Sequence, residues 1–90
     1  MKNPRMREGG LTSSKIPNDK IFKITSNVIS HDYIPIEYKT QVVAGVNYFI
    51  KVKSIASGHM FIYRIYEDLQ GNFRIDGVRK INSFDSIEYF

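Results

Sequence analysis

The chain has 90 residues, 42% of them hydrophobic and 24% charged, which fits one small folded domain and is too apolar for intrinsic disorder. So short a chain buries only ~60–65% of the surface its unfolded form exposes, which excludes a large cofactor domain. The absence of cysteine excludes disulfides and thiolate-held metal. A net charge of +4 favours acidic partners without identifying one.

The first ten residues, MKNPRMREGG, are polar and close on paired glycines, so residues 1–10 are expected to form a flexible N-terminal arm. They carry Lys2, Arg5 and Arg7 with no apolar run behind them, unlike a secretory signal. Lacking that signal and any cysteine, the sequence is expected to be cytoplasmic, and a secreted mature chain is the other option. Leu11 to Pro17 reads as turn-like, and Asn18 or Asp19 is placed to cap a helix. Ile21, Ile24 and Val28 recur on one helical face, so a helix is expected from about Asp19 to Ser30, ~18 Å long at ~1.5 Å per residue.

From Tyr33 the period changes to two. Ile34, Ile36, Tyr38 and Thr40 alternate with Pro35, Glu37 and Lys39, and Val46, Tyr48, Ile50 and Val52 alternate with Asn47, Phe49, Lys51 and Lys53. Both runs read as strands with one buried face. Ser54 to His59 makes a turn, Met60 to Tyr66 a third strand, Asp68 to Asn72 a second turn, and Phe73 to Ile81 a fourth strand. The tail DSIEYF either adds an edge pairing or packs its aromatics on the sheet. The whole of residues 1–90 thus reads as one α+β domain, with an antiparallel sheet of four to five strands packed on one helix.

Enzyme signatures are missing. His31 and His59 stand 28 positions apart with no second ligand at metal spacing, and no serine lies in a nucleophile-elbow setting. No catalytic residue, metal ligand or cofactor site is expected. The informative segment is Gln41-Val42-Val43-Ala44-Gly45, between two alternating strands and so at a hairpin tip. Tips carry polar turn formers, whereas Val42, Val43 and Ala44 are consecutive and apolar. A tight tip cannot turn all three into a core, so an exposed apolar patch points to a partner, unless the segment is a buried bulge in one long strand. Gly45 allows the positive φ of a tight bend.

At these residues the chain resembles the cystatins, protein inhibitors of papain-like cysteine proteases, whose Q-x-V-x-G signature is matched by Gln41 to Gly45. The run TQVVAGVNYFIKVK is similar to the intracellular stefins in particular. Gly9-Gly10-Leu11 resembles the stefin N-terminal glycine segment, Leu69-Gln70-Gly71 falls where the second hairpin loop lies, and Ile87-Glu88-Tyr89-Phe90 is similar to the stefin terminus. The resemblance covers essentially the whole chain. It implies a wedge of arm, first loop and second loop, formed by Gly9, Gly10, Gln41, Val42, Val43, Ala44, Gly45, Leu69 and Gln70. Such a wedge fills a protease cleft and inhibits reversibly and competitively.

Two features depart from the family. Gly9 and Gln41 stand 32 positions apart, roughly ten fewer than is usual in stefins, or ~3 turns of helix, so the helix looks shortened. Gln70 stands where stefins commonly place Pro, giving a floppier, more polar loop. Two other functions stay open. One is a basic sheet in which Tyr48, Phe49, Tyr63 and Tyr66 stack bases amid Lys51, Lys53 and Arg64. The other is a cystatin-like scaffold that no longer inhibits. A monomer is expected, with a domain-swapped dimer reachable through the β-branched residues around the first bend.

Overall fold

The computed structural model describes residues 10–90. A helix α1, Asp19–Ile24, runs into a π-helical segment, Thr25–Ile29; four strands follow, β1 Tyr33–Val43, β2 Gly45–Ser54, β3 Met60–Glu67 and β4 Phe73–Ile81. The strands pair antiparallel in the order β1-β2-β3-β4.

Of the two expected caps, Asn18 serves: its Oδ1 accepts from the Ile21 N–H at 3.0 Å. Asp19 sits in the first turn, where a negative charge suits the helix dipole. The helix does not continue regularly to Ser30. The Thr25 hydroxyl donates to the Ile21 carbonyl at 2.8 Å, crowding an acceptor that the backbone also uses. With β-branched Thr25, Val28 and Ile29 resisting a tight spiral, the last turn widens, and the Ser30 N–H reaches back five residues to the Thr25 carbonyl at 2.9 Å. Ser30 is already extended. The expected apolar face is retained. Ile21 and Ile24 are buried, and Val28 packs beside them against Tyr38, Tyr48, Ile50, Val52 and Ile65.

The simple alternation expected for β1 is broken. The register shifts between Pro35 and Glu37, leaving Ile36 unpaired in the ladder. Ile34 and Ile36 are therefore 45% and 43% exposed, while Pro35 and Tyr38 take the buried places. The single buried face expected for β2 is also corrected, because six consecutive residues, Asn47 to Val52, are buried. Tyr48, Ile50 and Val52 face the helix, and Phe49 faces Ile62 and Ile87 on the other side.

The tail provides that second cover by packing its aromatics. Ile87 is 1% exposed, and the Phe90 and Tyr89 rings lie 5.7 and 5.8 Å from Phe49. Three cations donate to its backbone oxygens. Lys39 donates to Ile87 O at 2.9 Å, Lys51 to Asp85 O at 2.5 Å, and Arg64 to Phe90 O. Lys51 is itself buried and pairs with Glu37 at 3.2 Å. Leu11 to Pro17, expected to be turn-like, instead runs along the outer edge of β1. Thr12 N–H donates to Thr40 O at 2.9 Å, and Lys15 and Tyr38 exchange backbone bonds at 2.9 and 3.1 Å. An edge strand exposes a row of unpaired amides, and this segment satisfies part of it.

Because Ile87 fills the second core, Ile87→Ala is expected to lower stability by about 2–4 kcal/mol, the cost of truncating a core side chain rather than a terminal one. The urea midpoint checks it, and an unchanged midpoint would mean the tail is a passive cover.

Candidate functional site

The first hairpin closes very tightly. Val43 pairs with Gly45, so Ala44 alone spans the turn. Gly45 has φ 109°, and a Cβ built there would lie 2.3 Å from the Glu67 carbonyl oxygen and 3.0 Å from the Tyr66 hydroxyl. Glycine is therefore required twice over, by the backbone angle and by the approach of β3. The Tyr66 hydroxyl donates to the Ala44 carbonyl and pins the turn. Behind it, buried Asn47 donates from Nδ2 to Gln41 Oε1 at 3.0 Å. Val42 is 67% exposed and Ala44 is exposed, while Val43 is half-buried.

The second loop is adjacent, because Glu67 pairs with Val46 just after the tip. Within it, Asp68 Oδ1 accepts from the Gln70 and Asn72 N–H groups, each at 2.9 Å. The Asp68 amide donates to Asn72 O, the Gly71 amide donates to Asp68 O, and Gly71 has φ 85°. These amide hydrogen bonds, that from Asn72 foremost, hold the Asp68 carboxyl below its ordinary pKa. The stiffness that a proline at position 70 would bring is thus supplied by an aspartate two residues earlier, correcting the expectation of a floppy loop. Leu69 is 75% exposed at its crest, beside exposed Gln70.

Gly10 is exposed, with nothing within 4 Å of the place a Cβ would occupy. Gly9 lies outside the described residues. The bonds Lys15–Tyr38 and Thr12–Thr40 run the segment antiparallel to β1, so toward Gly10 the chain heads for the Val42 end. Of the residues singled out, Gly10, Gln41–Gly45 and Leu69–Gln70 therefore come to one end of the sheet.

The roles of Glu67, Tyr66 and Asp68 at this end were not read from the sequence, which offered Tyr66 only as a base-stacking ring. Glu67 Oε1 accepts from the Tyr48 hydroxyl at 2.8 Å and pairs with Lys20 at 3.3 Å, tying the start of α1 to the strand beside the tip. Tyr48 is pushed above its ordinary pKa by burial, and its hydroxyl, with Glu67, holds Lys20 above its own. Only Asp68 left a readable signal, an Asp preceding Gly71 and Asn72 in a turn. The base-stacking reading loses its platform, since Tyr48 and Phe49 are 6% and 0% exposed and Lys51 is 5% exposed.

No family model matches the chain. Curated proteins do. The chain is 38% identical to Cystatin-A1 of Dictyostelium discoideum over 84 residues, taking in 81% of this chain and 86% of that protein. It is 32% identical to Cystatin-A of Mus musculus over 98 aligned positions, covering 94% of this chain and all of that protein. It is 32% identical to Cystatin-A1 of Sus scrofa over 79 positions, covering 77% of this chain and 76% of that protein.

Gly45→Ala is expected to cost roughly 1–3 kcal/mol, because its Cβ must push Glu67 away and hold a positive φ. Amide exchange at both loops, not the first alone, reports it. The depressed Asp68 pKa gives a second expectation, on pH. The loop's extra stability is present above the ordinary value of 3.8 and is lost as pH falls from there through the folded-state value. A carboxyl carbon titration should place Asp68 below 3.8, with the Gln70 and Asn72 amides shifting in the same step.

Proposed function

The chain belongs to the cystatin family as a stefin-like (type 1) member, and on that premise we propose that it is a reversible, competitive, tight-binding inhibitor of papain-like cysteine proteases of the cathepsin type. The observation carrying the proposal is the convergence at one end of the sheet of the Val42–Ala44 tip, with Val42 and Ala44 exposed, the Leu69–Gln70 crest and Gly10.

The physical logic is a preformed wedge. Val42, Val43 and Ala44 displace water from an apolar cleft, at ~25 cal/mol per Å² buried. Hydrogen bonds from Tyr66 and to Asp68 hold both loops before binding, so little entropy is lost on docking, and nanomolar affinity is within reach of a standard-size interface. Glycine at positions 9 and 10 lets the arm pass close to the enzyme surface. No scissile peptide need be offered, so no catalytic residue is involved and the chain is not an enzyme. Residues 1–90 act as one inhibitory domain in this reading, in the cytoplasm, where a cysteine-free chain is at home. The working unit in this reading is the monomer, and a domain-swapped dimer would form by opening the β1–β2 hairpin.

Gly45→Glu would disturb the fold as well as the contact, so the test uses exposed Val42. Val42→Asp should weaken papain inhibition by about 10–100-fold, the cost of an unpaired charge in an apolar cleft, with thermal stability unchanged. Inhibition should be saturable and insensitive to salt. If the parent chain fails to inhibit papain and a cathepsin panel, the scaffold-only reading prevails. If Val42→Asp inhibits as well as the parent, the first loop is misassigned.

Removing residues 1–9 should raise the dissociation rate and leave the association rate nearly unchanged, since the arm holds a docked complex closed. Stopped-flow dissociation from papain decides it, and equal off-rates would show the arm to be idle.

A further inference from the structure

The π-helical end of the helical segment reaches β4, yet part of that strand's helix-side face stays open. Phe73, Ile75 and Val78 project to the helix side, since they pair with Glu67, Ile65 and Tyr63, yet they are 37%, 45% and 50% exposed. Between them and the helix lies a cavity of about 300 Å³ lined by Lys20, Lys23, Ile24, Asn27, Val28 and Phe73. Among the described residues no backbone hydrogen bond is made to the outer edge of β4. The opposite face of the strand is basic: Arg74 lies over the Tyr66 ring at 4.6 Å, and Arg79 over the Phe90 ring at 4.7 Å. β4 therefore offers an open edge, one apolar side ending in a pocket, and one cationic side.

We propose that β4 is a second binding edge, which takes an extended, acidic segment of a partner protein as an added strand, in addition to the wedge end. Strand addition supplies main-chain hydrogen bonds, and alternate side chains supply selection. Apolar side chains of the added strand lie over Ile75 and Val78, and one enters the cavity beside Phe73. Its alternate carboxylates face Arg74 and Arg79, and Lys23, which lines the cavity, adds to the preference for acid. The occupant is not a second copy of the chain. β4 carries Arg74, Arg79 and Lys80 against Asp76, so two such edges repel. Asp76 is the extra residue where β3 and β4 lose register; it pairs with Arg74 at 2.6 Å, so an incoming carboxylate shares Arg74 with it, while Arg79 has no ion pair among the described residues.

The probe is an acetylated, amidated nonapeptide alternating valine and glutamate, titrated into isotope-labelled full-length chain at low salt. The controls are the same residues with glutamates clustered at one end, and a valine–lysine version. Expected are saturable amide shifts along Phe73–Ile81 and at Val28, saturation weakened by salt, and little effect of either control. Arg74→Glu with Arg79→Glu should weaken binding about tenfold, since each pair of facing charges contributes modestly. The same double variant should gain affinity for the valine–lysine peptide, a rescue that a misfolded protein would not give. Ile75→Lys, at an exposed position, should abolish binding and leave papain inhibition unchanged. The proposal fails if no shift saturates, if shifts map to the 68–72 loop or the β1 edge, or if the controls bind equally. Sedimentation showing self-association through β4 would fail it too.

Discussion

Burial of β2 on both faces is the constraint from which the rest of the architecture follows. Asn47 to Val52 have no exposed member, so a sheet of four strands must be covered twice by a chain with little to spare. One cover is the short helical stretch, whose Ile21 and Ile24 reach the Tyr48–Ile50–Val52 face. The other is the tail, whose Ile87 meets Phe49 and Ile62. A tail without secondary structure lays carbonyls with no ladder partner against the sheet, and a carbonyl shielded from water without a donor is costly. That need explains why Lys51, a residue type almost never buried without a partner, is 5% exposed on a central strand: it serves Glu37 and the tail together.

Both covers lie across the faces, so the strand ends stay free. At one end β2 begins and β3 finishes, and the two cannot be moved separately. Gly45 sits against the Glu67 carbonyl, Tyr66 holds Ala44, and the next residues after Glu67 form the second loop. The two loops are thus one mechanical unit. Rigidity there comes from hydrogen bonds close to the surface and not from a hydrophobic core, which leaves Val42 and Leu69 free to project.

The parts of this fold that were legible in the sequence are those governed by period. Ile21, Ile24 and Val28 marked the helical face, and the four strands stand where alternation placed them. What alternation could not show is where it breaks. Pro35 ends the inward series of β1, since a proline has no amide for the ladder, and the bulge after it sends Ile36 outward. The second cover of β2 was one of two readings of the tail. What the sequence hid is that Asn47 and Lys51, which look solvent-facing, are buried, Asn47 on Gln41 of the same hairpin and Lys51 on Glu37 and the distant Asp85 carbonyl. The π-helical widening depends on one hydroxyl, Thr25 on Ile21 O, and no periodicity reports that. The strand-like path of Leu11 to Lys15 is likewise set by the open edge of β1, a tertiary fact.

The shortened helix bears on the core and on the tip very differently. Its contribution to the core is two turns of side chains, Ile21, Ile24 and Thr25 among them, with Val28 and Ile29 behind. Its contribution to the tip is one link, Lys20 to Glu67, with the lysine side chain 56% exposed and the carboxylate 20% exposed. An ion pair so open to water is worth at most ~1 kcal/mol. The remaining ties of the tip run through the sheet: Tyr66 to Ala44, Asn47 to Gln41, and the pairing of Val46 with Glu67. Lys20 lies at the start of α1, so the rest of the helical stretch serves coverage of the sheet and not the tip. Ile75 and Val78 stay 45% and 50% exposed on β4, so the short helical stretch leaves part of that strand's face open. Shortening therefore costs stability and exposes a strand face, while the geometry of the loop end is preserved by contacts that the helix never supplied.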